Sequence, residues 1–328
     1  MENKTAEVSD QGKSAQARVL SVEGRRLDCG GRWLKVARIH DELWLEGQPV
    51  ENPGAFLPAL EHSGLKADLF TFSQALPETE PKYSYTLEWD NWAIAATTNF
   101  AAWWEGLPQE SRKNVRRAER RGVVVKLVDF DDELVRGIKG IYDETPLRQG
   151  RLFWHYKKDF ETVRRENSSY VERSQFIGAY HQDDLIGFIK MVYVGATARI
   201  MQILSKEGHV DKRPTNALLA KAVEACSRKG ASHLIYGQYI YGSKSNSPVT
   251  VFKRRNGFQQ LLLPRYYVPL TAKGRAAIAL RLHRGAKDRL PEWLVSSLLN
   301  ARLWYYEHVR FRPKPGGLQT PELKSSGT

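Results

Sequence analysis

The chain has 328 residues, of which 41% are hydrophobic and 27% charged, an ordinary globular composition with enough apolar material for two compact units or one domain with a large extension. Its formal net charge of +13 points to anionic partners such as nucleic acid, acyl-CoA phosphates, acidic lipid or an acidic cell-wall precursor, without choosing among them. Cys29 and Cys226 stand too far apart for a zinc cluster or a disulfide framework, and no run of 18 apolar residues occurs, so metal-site, disulfide-scaffold and membrane-spanning classes fall away and a cytoplasmic protein, or one peripheral to a membrane, is expected.

Residues 1–16 are polar and aperiodic and read as a disordered tail without a signal sequence. From 17 to 105 the text predicts a small α+β unit. "ARVLSVEG" and "RWLKVARIHDELWLEG" read as strands between glycine turns, and "NPGAFLPALEHSG" as a helix with Asn52 as its N-cap and Gly64 as its stop. "ADLFTFSQ" reads as a buried strand. In "KYSYTLEW", Tyr83, Tyr85, Leu87 and Trp89 alternate with polar residues, the period of a half-buried strand, and Asp90-Asn91 reads as a hairpin turn into "WAIAA".

A helix then crosses the middle, broken near Gly106-Leu107-Pro108 and ended by Gly122. Its second part, "SRKNVRRAERRG", places Arg112, Arg116 and Arg120 on one stripe and Lys113, Arg117 and Arg121 on the next. This face either neutralises phosphates or merely meets water. Residues 106–270 continue as strand, helix, helix, three strands in a meander, helix, strand, helix, strand. That order predicts an α/β (α+β) fold with a mixed, largely antiparallel sheet flanked by helices. A helical extension is expected over 271–311 and a disordered tail over 312–328.

The order resembles the GNAT acyltransferase fold. "VTVFKRRNGFQQ" is similar to the helix and "GF" step before the last GNAT strand, and "SRKNVRRAERRGVVVKL" to the Arg/Lys-rich helix and first strand of the FemAB-like branch, the peptidoglycan-bridge aminoacyltransferases built from paired GNAT-like domains. The resemblance covers about residues 107–270 and implies a partial GNAT-like unit before them. It implies transfer of an acyl group from an activated donor to an amine. The donor is an acyl-CoA, the favoured reading, or an aminoacyl-tRNA, with tRNA then a partner, and the acceptor is a small molecule or a cell-wall precursor. A noncatalytic RNA-binding module that keeps the fold is the rival. One departure stands out. In place of the Gly-rich pyrophosphate loop of acetyl-CoA-dependent members the chain has "LSKEGHVDKRPTNALL", with Gly208 alone.

Candidate residues follow from these segments. Lys206, Lys212, Arg213, Thr215 and Asn216, around a helix start at Pro214, together with Arg116, Arg120 and Lys253, are candidates for the phosphates of the donor. "TPLRQGRLFWHY" lies where GNAT-like domains shape the acceptor site, so Arg148, Gly150, His155 and Tyr156 are acceptor candidates, and Lys190, on the third strand, is a further one. "YGQYIYG" ends a strand where GNAT sheets splay, which makes Gln238, Tyr239 and Tyr241 the catalytic candidates, a tyrosine hydroxyl being able to protonate a leaving group. The bland alternative for each is an aromatic core or a satisfied hydrogen bonder. No nucleophile elbow, Walker loop or dinucleotide fingerprint is present, so direct attack by the amine is expected.

Overall fold

The computed structural model describes residues 5–10, 13–18, 20–148, 151–241 and 247–284. Over the stretch read from sequence as a tail, β1 (Thr5–Asp10) and β2 (Lys13–Arg18) pair as an antiparallel hairpin. Then come β3 (Leu20–Val22), β4 (Arg25–Gly30), β5 (Val36–Ile39), α1 (Pro53–His62), β6 (Leu69–Ser73), β7 (Thr86–Ala96), α2 (Phe100–Gly106), α3 (Gln109–Arg120), β8 (Val124–Val128) and α4 (Asp132–Asp143). The two-residue strands β9 (Leu147–Arg148) and β10 (Arg151–Leu152) follow, and after them α5 (Phe160–Asn167), β11 (Ser174–His181), β12 (Asp184–Val194) and β13 (Thr197–Ser205). The rest is α6 (Pro214–Arg228), β14 (His233–Gln238), α7 (Pro248–Arg255), β15 (Gln259–Pro269) and α8 (Ala272–Ala279). The expected tail from 312 and most of the C-terminal extension lie outside the described residues. No described helix is long and apolar enough to cross a membrane.

Eleven strands form one sheet in the order β3-β4-β5-β6-β15-β7-β14-β13-β12-β11-β8. Within it only β5–β6 and β13–β14 run parallel. The antiparallel meander expected over 174–205 is present as β11-β12-β13. One face carries α6, whose Leu218, Leu219, Ala222, Val223 and Cys226 pack on Ala198, Ile200, Ile189 and Met191. The other carries α4 and α5, which bury Ile138, Ile141, Tyr142 and Val163 against Phe176 and Phe188. A separate core under α1 gathers Phe56, Phe70, Phe72 and Tyr266, with Tyr83, Tyr85 and Leu87 at its margin.

Local chemistry sets the boundaries. Asn52 caps α1 by accepting from Ala55 N at 3.2 Å. Leu107 is extended (ψ 143°), as the residue before Pro108 must be, and this separates α2 from α3. Two strand expectations are corrected. The chain does not turn at Asp90-Asn91; β7 runs straight through, because β15 supplies a continuous partner, with Asp90 opposite Leu263 and Asn91 opposite Leu262. The long strand expected from Arg32 to Gly47 stops at Ile39, since Asp41 is left-handed (φ 55°) and its carbonyl accepts from Trp44 and Leu45 N. The resulting 41–49 loop folds back over the sheet. There the Glu42 carboxylate pairs with Arg265 at 3.0 Å, and Arg265 also holds Asp90 at 2.8 Å.

Candidate active site at a fork between two parallel strands

β13 and β14 pair over only three registers, Thr197–His233, Ala198–Leu234 and Arg199–Ile235, and then part. Each strand carries the cause. β13 stays with β12 through Ser205, but Ile200 faces Met191 and Gln202 faces Lys190, so Met201 is an extra residue. A bulge of this kind bends its strand and raises the twist. β14 breaks register against β7 between Ile235 and Gln238, where Gly237 is left-handed (φ 57°). The two strands therefore leave a V whose backbone groups are not spent on each other.

Lys253 of α7 occupies the β14 limb of this fork. It is fully buried, and its Nζ donates to Tyr236 O at 2.6 Å, Gln238 O at 2.6 Å and Tyr241 Oη at 3.3 Å. Burial pushes its ammonium down to about 8. All three donors are thus turned onto the β14 end rather than toward a carrier phosphate. The neighbouring catalytic candidates divide. Gln238 contributes a backbone carbonyl to Lys253. Tyr239 is fixed by its backbone, its N donating to Asn91 O at 3.3 Å and its O accepting from Thr250 Oγ1 at 3.1 Å. Tyr241 is 46% exposed and accepts from Lys253, so its own proton is free to point elsewhere. Burial raises this phenol above its ordinary value.

Gly257, just beyond the C-cap of the helix that carries Lys253, is left-handed at φ 78°, and an added Cβ there would lie 2.5 Å from Trp103 Nε1. Gly257→Ala is expected to cost about 2 kcal/mol by combining positive-φ strain with overpacking, measurable as a lower midpoint in urea unfolding.

The loop before α6 is already satisfied by an internal anion. Glu144 accepts from Glu207 N at 2.6 Å and from Gly208 N at 2.9 Å. At the start of α6, Asn216 N and Ala217 N bond to Arg213 O, so neither is open to a donor phosphate. The Asn216 side chain donates to Asn256 Oδ1 at 2.9 Å inside the fold, and Thr215 Oγ1 lies 3.0 Å from Ser205 Oγ. Lys206 pairs with Asp184 at 2.6 Å, and Lys212 lies 3.7 Å from Asp211. Arg213 is exposed at the mouth of a cavity of about 490 Å³ shared with Ser111, Asn114 and Arg255.

Most acceptor candidates are likewise tied internally. Arg148 bonds Ser205 O, Ile141 O and Glu144 at 2.8, 3.0 and 3.2 Å. Lys190, 1% exposed, donates to Asn167 O, Ser169 O and Ser169 Oγ; it pins the turn after α5. His155 stacks on Tyr142 with ring centroids 4.2 Å apart and lies 3.1 Å from Gln202 Nε2. Burial, with Lys158 and Arg148 nearby, holds it down at about 3, so it is neutral and a poor base at neutral pH. Tyr156 is half-buried beside Lys157, and Gly150 lies outside the described residues. The Tyr142–Gln202–His155 chain, with Glu166 Oε2 3.4 Å from His155 Nδ1, is a network no sequence spacing revealed, because its members come from four segments.

The basic helix keeps its charge unspent. Among the described residues Arg112, Lys113, Arg117 and Arg120 make no ion pair, and Arg116 lies 5.8 Å over the Trp104 ring. Arg121 departs from its stripe by pairing with Asp211 at 2.8 Å.

A doubly covered, largely antiparallel sheet with a bulged strand and a parallel fork is the GNAT-like fold. Comparison with solved structures finds the same fold in several other proteins. The chain is similar to FemX (TM-score 0.53, 11% identity, covering 80% of this chain and 87% of that one). It is also similar to the C-terminal domain of a putative lysylphosphatidylglycerol synthetase from Agrobacterium fabrum (TM-score 0.50, 12% identity, 80% and 87%), and to a conserved protein of unknown function from Bacteroides thetaiotaomicron (TM-score 0.53, 8% identity, 78% and 86%). At such identities the likeness is one of fold. No family model and no curated protein matches the sequence.

Proposed function

We propose that this chain is an acyltransferase that moves an acyl group from an activated donor to an amine at the β13–β14 fork. The observation that carries this is the fork itself, a parallel pair opened after three registers, with a buried ammonium and a hydroxyl set at one limb. In the proposed reaction the amine lone pair attacks the donor carbonyl and a tetrahedral intermediate forms. The bond to the carrier oxygen or sulfur then breaks. Tyr241 gives that atom its proton and recovers one from the amine nitrogen, which loses it as the amide forms. Lys253, donating to the Tyr241 oxygen, favours phenolate character at that moment and needs no proton transfer of its own.

Two observations favour an aminoacyl ester of tRNA over an acyl-CoA, the donor the sequence favours. Glu144 already holds two N–H groups, Glu207 N and Gly208 N, of the stretch that stands in place of the Gly-rich pyrophosphate loop. Among the described residues the α3 face offers cations with no ion-pair partner, as a polyanionic backbone requires. A cell-wall or lipid-linked amine is the corresponding acceptor class.

The test is a binding panel of CoA, an acyl-CoA, charged tRNA and uncharged tRNA at two salt concentrations. tRNA affinity is expected to fall steeply with salt, and combined Arg116→Ala, Arg117→Ala and Arg120→Ala to reduce the log–log salt slope by about 2–3. CoA binding with tRNA affinity unchanged in the triple variant would restore the acyl-CoA reading.

A further inference from the structure

On the sheet face opposite α6 the fork closes onto a second cavity, of about 700 Å³, between the 41–49 loop, the 75–77 loop, the β12–β13 turn and the start of β14. Leu43, Leu45, Pro77, Val194 and Ile235 give it apolar walls. Among the described residues its one arginine is Arg199. Ala198 and Ile200 pack under α6, so strand alternation turns Arg199 to the opposite face. It is also the last β13 residue paired before the strands part, which places it at the apex of the fork.

The Arg199 guanidinium is unspent. It lies over the Trp92 ring at 5.1 Å, and among the described residues it makes no hydrogen bond and no ion pair. The nearby carboxylates are committed elsewhere: Glu42 to Arg265 and to Ser73 N at 2.6 Å, Asp90 to Arg265, and one Glu46 oxygen to Gly195 N at 2.8 Å. Burial draws Arg199 down to about 10, against Glu42 and Asp90, which leaves it cationic at neutral pH. None of its nitrogens is both buried and unpartnered, so its free donors open onto the cavity it lines, where a planar or tetrahedral oxyanion can meet them through two parallel bonds.

We infer that this cavity holds the acceptor substrate by a compact oxyanion, a carboxylate or a phosphate, paired with Arg199, with the acceptor's apolar body lying against Leu43, Leu45 and Pro77. The term acceptor rests on the acyltransferase reading; the oxyanion site does not. An acceptor held here approaches the fork from the face opposite α6.

Isothermal titration of the full chain with 3-phenylpropionate, phenyl phosphate and the uncharged 3-phenylpropionamide tests it. At least one anion is expected to bind tenfold or more tightly than the amide, and the tighter anion identifies the head group. Arg199→Gln should remove that preference while circular dichroism shows a folded chain. Ala196→Trp, at the exposed rim, should weaken all three probes and serves as the test if the Arg199 variant does not fold. No anion binding at millimolar concentration, equal affinity for the amide, an anion affinity unchanged in Arg199→Gln, or unweakened binding in Ala196→Trp would each overturn the site. Anion binding without acyl transfer to any acceptor would overturn the transferase reading alone. Transfer with no anion preference would overturn the site alone.

Discussion

Replacing Lys253 with methionine is expected to lower the rate of acyl transfer by about a hundredfold, the usual effect of removing one preorganised donor from a reacting centre. The substitution keeps the length and burial of the side chain and removes only the charge and its protons. Tyr236 O and Gln238 O then lose their shared donor, at a stability cost of roughly 2 kcal/mol, and Tyr241 loses the contact that orients it. The pH dependence separates charge from packing. Because burial sets Lys253 at about 8, below the ordinary lysine value, the folded chain releases this proton earlier than the unfolded chain does. Between that value and the ordinary lysine range the unfolded state binds more protons, so the contribution of this group to stability rises with pH. Activity that depends on the ammonium falls over the same interval. Opposite trends of melting temperature and rate above pH 8, with the falling limb of the rate absent in Lys253→Arg, are the expected signature. A rate that does not respond to Lys253→Met would remove this residue from the chemistry.

The second large effect lies at Arg265. Burial opposes its charge, but Glu42 and Asp90 more than offset that and push the guanidinium above its ordinary range. Arg265→Met leaves two poorly exposed carboxylates without their shared cation, so a loss of about 3–5 kcal/mol is expected in denaturant unfolding. Neutralising all three, as Glu42→Gln, Asp90→Asn and Arg265→Met together, should recover most of it. If the triple variant is no more stable than the single one, the loss comes from packing and not from stranded charge. This triad also fixes the 41–49 loop, one wall of the cavity at Arg199, so the single variant should weaken anion binding there as well.

What the sequence discloses is mostly what is local. The break at Leu107-Pro108, the cap at Asn52, the 174–205 meander and the amphipathic α6 all depend on residues within a few positions of each other. Asp90-Asn91 carries turn chemistry in sequence, but its partner strand, about 170 residues later in the chain, stretches the same residues flat. Site residues were legible by segment and not by role. The "YGQYIYG" and "FKRRNGF" stretches do meet at the fork, yet only the fold shows that Lys253 spends its donors on backbone carbonyls. Arg148, Lys190 and Lys206 look like ligand residues in sequence because long cationic side chains usually face water; here carbonyls or a carboxylate absorb each one. Arg199 was missed for the converse reason. A single arginine in a strand carries no pattern, and its lack of hydrogen-bond partners among the described residues is a property of the surroundings alone.

The position of β15 has a consequence for how the chain is made. Its residues, 259–269, lie between β6 and β7, both complete before residue 97. Until the last part of the described sequence leaves the ribosome, those two early strands each present an unpaired edge, and the core around Phe70 and Phe72 lacks Tyr266. The N-terminal half is therefore not a unit that can finish folding and wait. It must be kept from pairing with other nascent chains while nearly all of the remaining sheet is synthesised. Closure is then a late, long-range insertion, a route that is slow and exposed to aggregation.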